Sequence, residues 1–179
     1  MNILIAGPPG SGKSTQAELL AEKMGIPHLS AGDIFHYLSE EKSPRGEKIK
    51  KIMESGRLVN DKEALRLINE QLQGKQYLDG FIIDGSPRNL WQATNFKHLL
   101  DKVIYLQVTD AENTNRLSKR NREDTDSPEI IKKRLAVYHR ETEPMLAYYR
   151  KLGILEEVDG ERPVEVILQD ILNKLKIDN

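Results

Sequence analysis

Cysteine is absent from the 179 residues. That excludes a disulfide framework, a Cys-ligated zinc site and thiol catalysis, and it fits a reducing compartment. An excess of one charge is absent too: 27 Lys and Arg stand against 28 Asp and Glu, for a net charge of −1. Without a basic field, sequence-independent binding to nucleic acid or anionic lipid has no global driving force, so any positive potential must be local. No run of about 18 apolar residues offers a membrane span, and no basic leader stands before the first apolar run at Asn2–Ala6. The expected setting is cytoplasmic, with neither a membrane nor a nucleic acid as partner. The histidines number four, and His28, His98 and His139 have no metal-ligand spacing, so no zinc is expected and they read as structural. Internal repeats, low-complexity tracts and Pro/Gly/Ser-rich linkers are also missing, and the length suits one domain with one core. A monomer is the default expectation.

What is present is an alternation of short apolar runs with amphipathic stretches, the pattern of a parallel sheet covered by helices. Strands are expected at Ile3–Ala6, Phe81–Ile83 and Val103–Val108, with two more near His28-Leu29 and Ile154–Val158. Helical spacing covers Ser14–Met24, Asp61–Leu72, Leu90–Leu100, Ala111–Lys119 and Pro163–Leu175. It also covers Pro128 to about Lys151, where Pro144 should introduce a kink. Two further helices, Ala31–Glu40 and Pro44–Ser55, read as a lobe inserted after the second strand. The fold class that follows is a three-layer α/β/α sandwich around a five-stranded parallel sheet. Trp91 and the tyrosines of Tyr138–Tyr149 read as packing groups.

Gly7-Pro8-Pro9-Gly10-Ser11-Gly12-Lys13-Ser14 matches the phosphate-binding pattern G-x-x-x-x-G-K-[ST], directly after a strand and at the start of a helix. Glycines let successive backbone N–H groups turn inward, the helix N-terminus adds its dipole, and a lysine reaches the β and γ oxygens. Gly10, Ser11, Gly12, Lys13, Ser14 and Thr15 are therefore candidate residues for holding the phosphates of a nucleotide, with Ser14 placed to ligate Mg²⁺. Asp84, at the end of the apolar run Gly80–Ile83, supplies the acidic residue that such a site uses to hold Mg²⁺ through water.

Arg88 follows Asp84 after a Gly-Ser-Pro turn and can grip a phosphate bidentately. Arg116 and Arg120 share a helix face, Arg122 follows in a polar loop, and Arg134 lies in the next helix. The interleaved Glu123, Asp124, Asp126 and Glu129 also permit a solvated, salt-bridged face. Phosphoryl transfer favours the functional alternative, because its transition state asks the protein mainly for positioning and charge.

The blocks "SAGDIFHYL" (30–38), "GRLVND" (56–61), "GFIIDGSPRN" (80–89) with Gln92, "RLSKR" (116–120), "KKRLAVYHRETEPMLAYY" (132–149) and "VDGERPVEV" (158–166), together with Gly7–Thr15, resemble in order and spacing the adenylate kinase family of nucleoside monophosphate kinases. The resemblance covers essentially the whole chain. It implies reversible transfer from MgATP to a nucleoside monophosphate, most simply ATP + AMP = 2 ADP. It also implies a CORE at 1–29, 60–119 and 129–179, a monophosphate-binding lobe at 30–59 and a short LID at about 120–128. By similarity Lys13, Arg88, Arg120, Arg122 and Arg134 are the catalytic cations. Arg116 would stack on the donor base, and the backbone near Arg162 would touch it. Ala31, His36, Arg57, Val59, Gly85 and Gln92 would line the acceptor site, with Gln92 reading the base edge and Arg88, Arg122 and Arg134 meeting the phosphate. Asp33 would assist Asp84 at the metal through water.

The chain departs from the family at several positions. His36 stands where the family usually has a phosphate-gripping arginine, and it reads as a weaker, pH-sensitive substitute. Ala31 and Asn89 lean toward UMP/CMP kinases, whereas Gln92 leans toward AMP. Ser86 replaces a frequent aromatic wall, and Ser14 a frequent glycine. Rival readings are a UMP/CMP kinase, a small-metabolite kinase with the same loop, and a nucleotide-binding scaffold without turnover.

Overall fold

The computed structural model describes residues 1–55, 59–120 and 126–177. Five strands, β1 (Asn2–Ala6), β2 (His28–Ser30), β3 (Phe81–Asp84), β4 (Lys102–Gln107) and β5 (Leu155–Asp159), form one sheet in the order β2-β3-β1-β4-β5. Every pairing is parallel. Parallel neighbours need long crossovers, and helices supply them on both faces. All five expected strands are present, including the short β2.

Period-two alternation divides β1 between two cores. Ile3 and Ile5, with Ile82, Ile104, Leu106 and Val158, face the side covered by α1 (Lys13–Met24) and α9 (Val164–Leu175). Leu4 and Ala6, with Phe81, Ile83 and Val103, face the other side, where Ile68 of α4 (Asp61–Gln71) and Met145, Leu146 and Tyr149 of α8 (Glu143–Lys151) close the layer. Because the strands run in parallel, all their C-terminal ends open on one edge, the place where α/β ligands sit.

Helix starts follow side-chain chemistry. Ser43, Asn60, Asn89 and Ser127 each cap a helix by accepting a backbone N–H, and Pro44 and Pro128 sit at the first helical turn, where no N–H is needed. α2 (Ala31–Ser39) and α3 (Pro44–Glu54) form the helical pair expected after β2. α6 (Asp110–Arg120) leads toward α7 (Pro128–Val137).

Two helices differ from expectation. α5 runs only over Leu90–Asn95, instead of to Leu100, and Phe96 turns to extended backbone. Thr94 and Asn95 explain the stop, since their side chains donate to the carbonyls of Leu90 and Trp91 and compete with the helical ladder. Phe96 and Leu100 then pack against the core as a loop. The long helix from Pro128 is divided by a π turn at Tyr138–Thr142, where the Glu143 N–H reaches back to the Tyr138 carbonyl immediately before Pro144. The missing proline N–H is thus absorbed by a bulge. Tyr138 and Tyr149 are buried as packing groups, whereas Trp91 lies 41% exposed on α5. Among the described residues no helix is long and apolar enough to cross a membrane.

Candidate active site

The loop between β1 and α1 curls under the sheet edge. Gly10 and Gly12 both sit at φ 86°, a left-handed conformation that strains other residues. At Gly10 a Cβ would also come within 2.9 Å of the Asn113 carbonyl and 3.0 Å of Leu117, so α6 packs on the loop backbone there. At Gly12 nothing lies within 4 Å of a Cβ, which leaves the cradle open on that side. Lys13 Nζ donates to the Pro8 carbonyl at 3.2 Å and crosses the mouth of the loop. Thr15 is exposed on the first turn of α1, and Ser11 is buried in the loop with its hydroxyl unpartnered.

Asp84, at the end of β3, is 2% exposed. It accepts the Ser14 hydroxyl at 3.2 Å, and its other oxygen lies 2.8 Å from His28 Nε2. A hydroxyl and a carboxylate side by side are hard oxygen donors of the kind Mg²⁺ accepts while keeping several waters. Asp33 stands exposed on the first turn of α2, where its backbone N–H bonds to Ser30 Oγ.

Four of the five expected catalytic cations converge on this point. Burial holds Lys13 down from 10.5 to about 8; Asp84 opposes this, while Arg88, Arg134 and Arg120 add to it. Burial also lowers Arg88, again against Asp84 and with Arg134. An arginine stays protonated regardless, so this direction expresses the loss of water around a buried guanidinium. Arg88 is braced by its Nε–H on the Gly85 carbonyl. Gly85, at φ 75°, leaves room there: its Cβ position lies 3.4 Å from the Arg88 guanidinium and 3.5 Å from Ala31. Arg120 makes a fork onto Asp126 with two contacts of 2.9 Å, and Arg134 donates to the same carboxylate at 2.9 Å. Arg122 and Arg57 lie outside the described residues.

Beside the cations a narrow cleft is lined by Phe35, Val59, Ala64, Gly85, Ser86, Arg88 and Gln92. It has apolar walls, one amide and a guanidinium, groups of the kind that meet a planar base and a phosphate, but in this conformation it holds only about 10 Å³ and would have to open to admit one. His36 is not among its lining residues; its side chain is 65% exposed and lies 3.9 Å from Glu40. Arg116 is tied to Glu112 at 2.7 Å on its own helix. Arg162 bonds to the Asp159 carbonyl and to Asp170, joining the end of β5 to α9.

Three acidic or imidazole groups at the site were not singled out as site residues by sequence reasoning. Asp126 stood in a run of interleaved acids with nothing to distinguish it, yet its side chain is 1% exposed and gathers two arginines. His28 reaches Asp84 because β2 pairs with β3, with Ser30 opposite Asp84 in register. Asp61 receives the side-chain amides of both Asn89 and Gln92 at 2.8 Å. Only the third left a local signal, the phrase "VND" at the end of a quoted block.

Comparison with known proteins gives consistent results. The family model described as adenylate kinase matches residues 5–154. The chain is 39% identical over 188 positions to an adenylate kinase of Cyanothece sp., covering 97% of this chain and 96% of that protein. It is 37% identical to an adenylate kinase of Thermobifida fusca, with 98% of each chain covered. It is 40% identical to adenylate kinase 1 of Synechocystis sp., over 97% of this chain and 96% of the other.

Proposed function

The chain belongs to the adenylate kinase family, and from that premise we propose that it passes the γ-phosphoryl group of ATP to AMP, reversibly, with its own residues in the following roles. The observation that supports the reading is the gathering of Arg88, Arg120 and Arg134 about Lys13, with Asp84 beside Lys13 and Arg88. The glycine loop and the start of α1 hold the donor phosphates, with Gly10, Ser11, Gly12, Ser14 and Thr15 supplying backbone and hydroxyl groups. Lys13 spans the β and γ oxygens. Arg88 holds the acceptor phosphate, and Arg120, Arg122 and Arg134 meet the equatorial oxygens of the transferring group. Charge on those oxygens grows more diffuse in the transition state, and fixed guanidinium groups match it without reorganising. Holding both phosphates against one cation cluster converts a two-substrate collision into an in-line contact.

Ser14 and Asp84 would hold Mg²⁺, Asp84 through water, with Asp33 as a further water-mediated contact. When bound, the ion neutralises charge on the β and γ oxygens. The acceptor base lies in the cleft of Val59, Gly85 and Gln92, beside Ala31 and Arg57, with His36 approaching its phosphate when the lobe closes. Arg116 and the backbone at Arg162 flank the donor base. On this reading residues 30–59 are the acceptor lobe, 120–128 the lid and the rest the CORE, and the substrates are freely diffusing nucleotides, as the cytoplasmic setting expected from the sequence provides. The amide of Gln92, which lines the cleft, favours AMP over the UMP alternative.

The test is a product assay by chromatography with MgATP and AMP, CMP, UMP, GMP or dTMP in turn. Two ADP per AMP consumed is expected, and Lys13→Ala should abolish transfer while the fold still melts cooperatively. Preference for UMP or CMP would overturn the acceptor, and no turnover with any acceptor would leave a nucleotide-binding scaffold.

A further inference from the structure

Gln92 is 2% exposed and both ends of its amide are engaged. Its Nε2 donates to Asp61 Oδ1 at 2.8 Å, and its Oε1 accepts the Arg88 backbone N–H at 2.8 Å and, at 3.4 Å, the Ser86 hydroxyl. An amide could in principle be turned either way, but here its partners decide. A carboxylate only accepts and a backbone N–H only donates, so the flipped amide would set two acceptors face to face at Asp61 and two donors at Arg88. Asn89 closes the ring: its Nδ2 donates to the same Asp61 Oδ1, and its own oxygen accepts the Gln92 N–H as the cap of α5.

Resting on the acceptor reading above, we propose that Asp61 is the positioning residue that fixes the amide of Gln92 and so makes the acceptor cleft select amino bases over oxo bases. One Nε2–H of Gln92 is committed to Asp61, and the second is left to donate to a ring nitrogen. Oε1, once the distant Ser86 hydroxyl rotates away, accepts from an exocyclic amino group. Adenine offers that acceptor–donor pair at N1 and its 6-amino group, and cytosine offers the same pair. Hypoxanthine, guanine and uracil offer the reverse, N–H and C=O, and would require the flipped amide that Asp61, together with the Arg88 N–H, opposes. The side chain that enforces the choice therefore lies on α4, one residue beyond its cap and on a different element from the residue that meets the base. Asn89, which as a sequence feature leaned toward UMP and CMP, serves instead to hold Asp61 in place.

The experiment measures kcat/KM for AMP and for IMP, with MgATP, on the full chain and on Asp61→Asn. An asparagine at 61 can turn its NH₂ toward a flipped Gln92, which removes one of the two obstacles to the flip and leaves the Arg88 N–H as the other, so the AMP:IMP ratio should narrow by roughly tenfold, the lower end of what one good base contact is worth. Most of that change should come from improved IMP use. Equal losses for both substrates at an unchanged ratio would make Asp61 a merely structural residue of α4 and overturn the proposal. Should Asp61→Asn fail to fold, Asp61→Ser, whose hydroxyl can donate to a flipped Gln92 as well as accept from it, takes its place, and an unchanged ratio there overturns the proposal equally. Failure of the underlying reading is separate: wild-type protein would then not use AMP at all, whatever stands at 61.

Discussion

Lys13 offers a pH test whose sign and size follow from its surroundings. Its ammonium group is held down from 10.5 to about 8 by burial, against the pull of Asp84 and with the push of three arginines. In the free protein the charge is therefore a cost: between about 8 and 10.5 the unfolded chain binds more protons than the folded one, and this group's contribution to stability rises with pH through that window. At 1.36 kcal/mol per pH unit the lowering corresponds to about 3 kcal/mol, present as a penalty below about 8 and relieved above 10.5. On the proposed reading ATP reverses the balance, because its phosphates would need the charged lysine and restore its proton. The ATP dissociation constant should be nearly flat from pH 6 to 7, weaken about tenfold between pH 7 and 9, and weaken about tenfold again by pH 10. Isothermal titration in two buffers of different ionisation enthalpy should register an uptake approaching one proton per ATP at pH 9. Lys13→Arg, charged throughout, should remove the slope. A dissociation constant that moves less than about twofold between pH 7 and 9, with no proton uptake, would refute the reasoning.

Asp126→Asn should destabilise the protein by about 2–4 kcal/mol, since it takes a 1%-exposed carboxylate from two arginines, of which Arg120 is partly solvated. Calorimetry should show Tm falling by at least about 4 °C, and kcat should fall more than either KM rises; an unchanged kcat would mean that the two arginines hold their places unaided. Gly10→Ala should lower Tm more than Gly12→Ala, because both positions carry φ 86° but only Gly10 adds contacts of 2.9 and 3.0 Å to a new Cβ; equal losses would leave backbone strain as the whole cost. His36→Arg should lower the AMP KM about tenfold through a new charge-assisted contact, and an unchanged KM would place that face of α2 outside the acceptor phosphate site.

Much of the fold was legible because its signals are local. The five apolar runs and the glycine loop ahead of α1 each depend on a few neighbouring residues. What was not legible depended on which distant elements meet. The pairing of β2 with β3 puts His28 against Asp84, and no spacing along the chain encodes strand order. Asp126 looks like its neighbours Asp124 and Glu123 in sequence; only burial between α6 and α7 separates it from a solvated acid. The overlong α5 was a failure of another kind, since apolar spacing continues to Leu100 while Thr94 and Asn95 already bond back to the helix carbonyls. Pro144 was visible as a disturbance, but whether a kink or a bulge absorbs it is decided by packing.

If the cluster acts as proposed, the way Asp126 holds its arginines bears on how it would catalyse without binding nucleotide too tightly. Arg120 and Arg134 do not wait as bare cations; they already donate to a carboxylate at 2.9 Å. A phosphate that draws them inward exchanges one charged acceptor for another, so the net gain per contact in the ground state is small compared with the about 1.5–3 kcal/mol of a charge-assisted bond formed from nothing. Lys13 and Arg88 stand differently: burial lowers both, and the partly offsetting charge that they share is Asp84. Ground-state affinity should therefore reside mainly in Lys13 and Arg88, with Arg120 and Arg134 contributing where the transferring group spreads its charge. Interactions that strengthen only at that point raise kcat in place of lowering KM. Alanine at 120 or 134 should then cut kcat far more than it raises either KM, whereas alanine at 88 should raise the AMP KM as well, and steady-state kinetics with both substrates varied would separate the two classes.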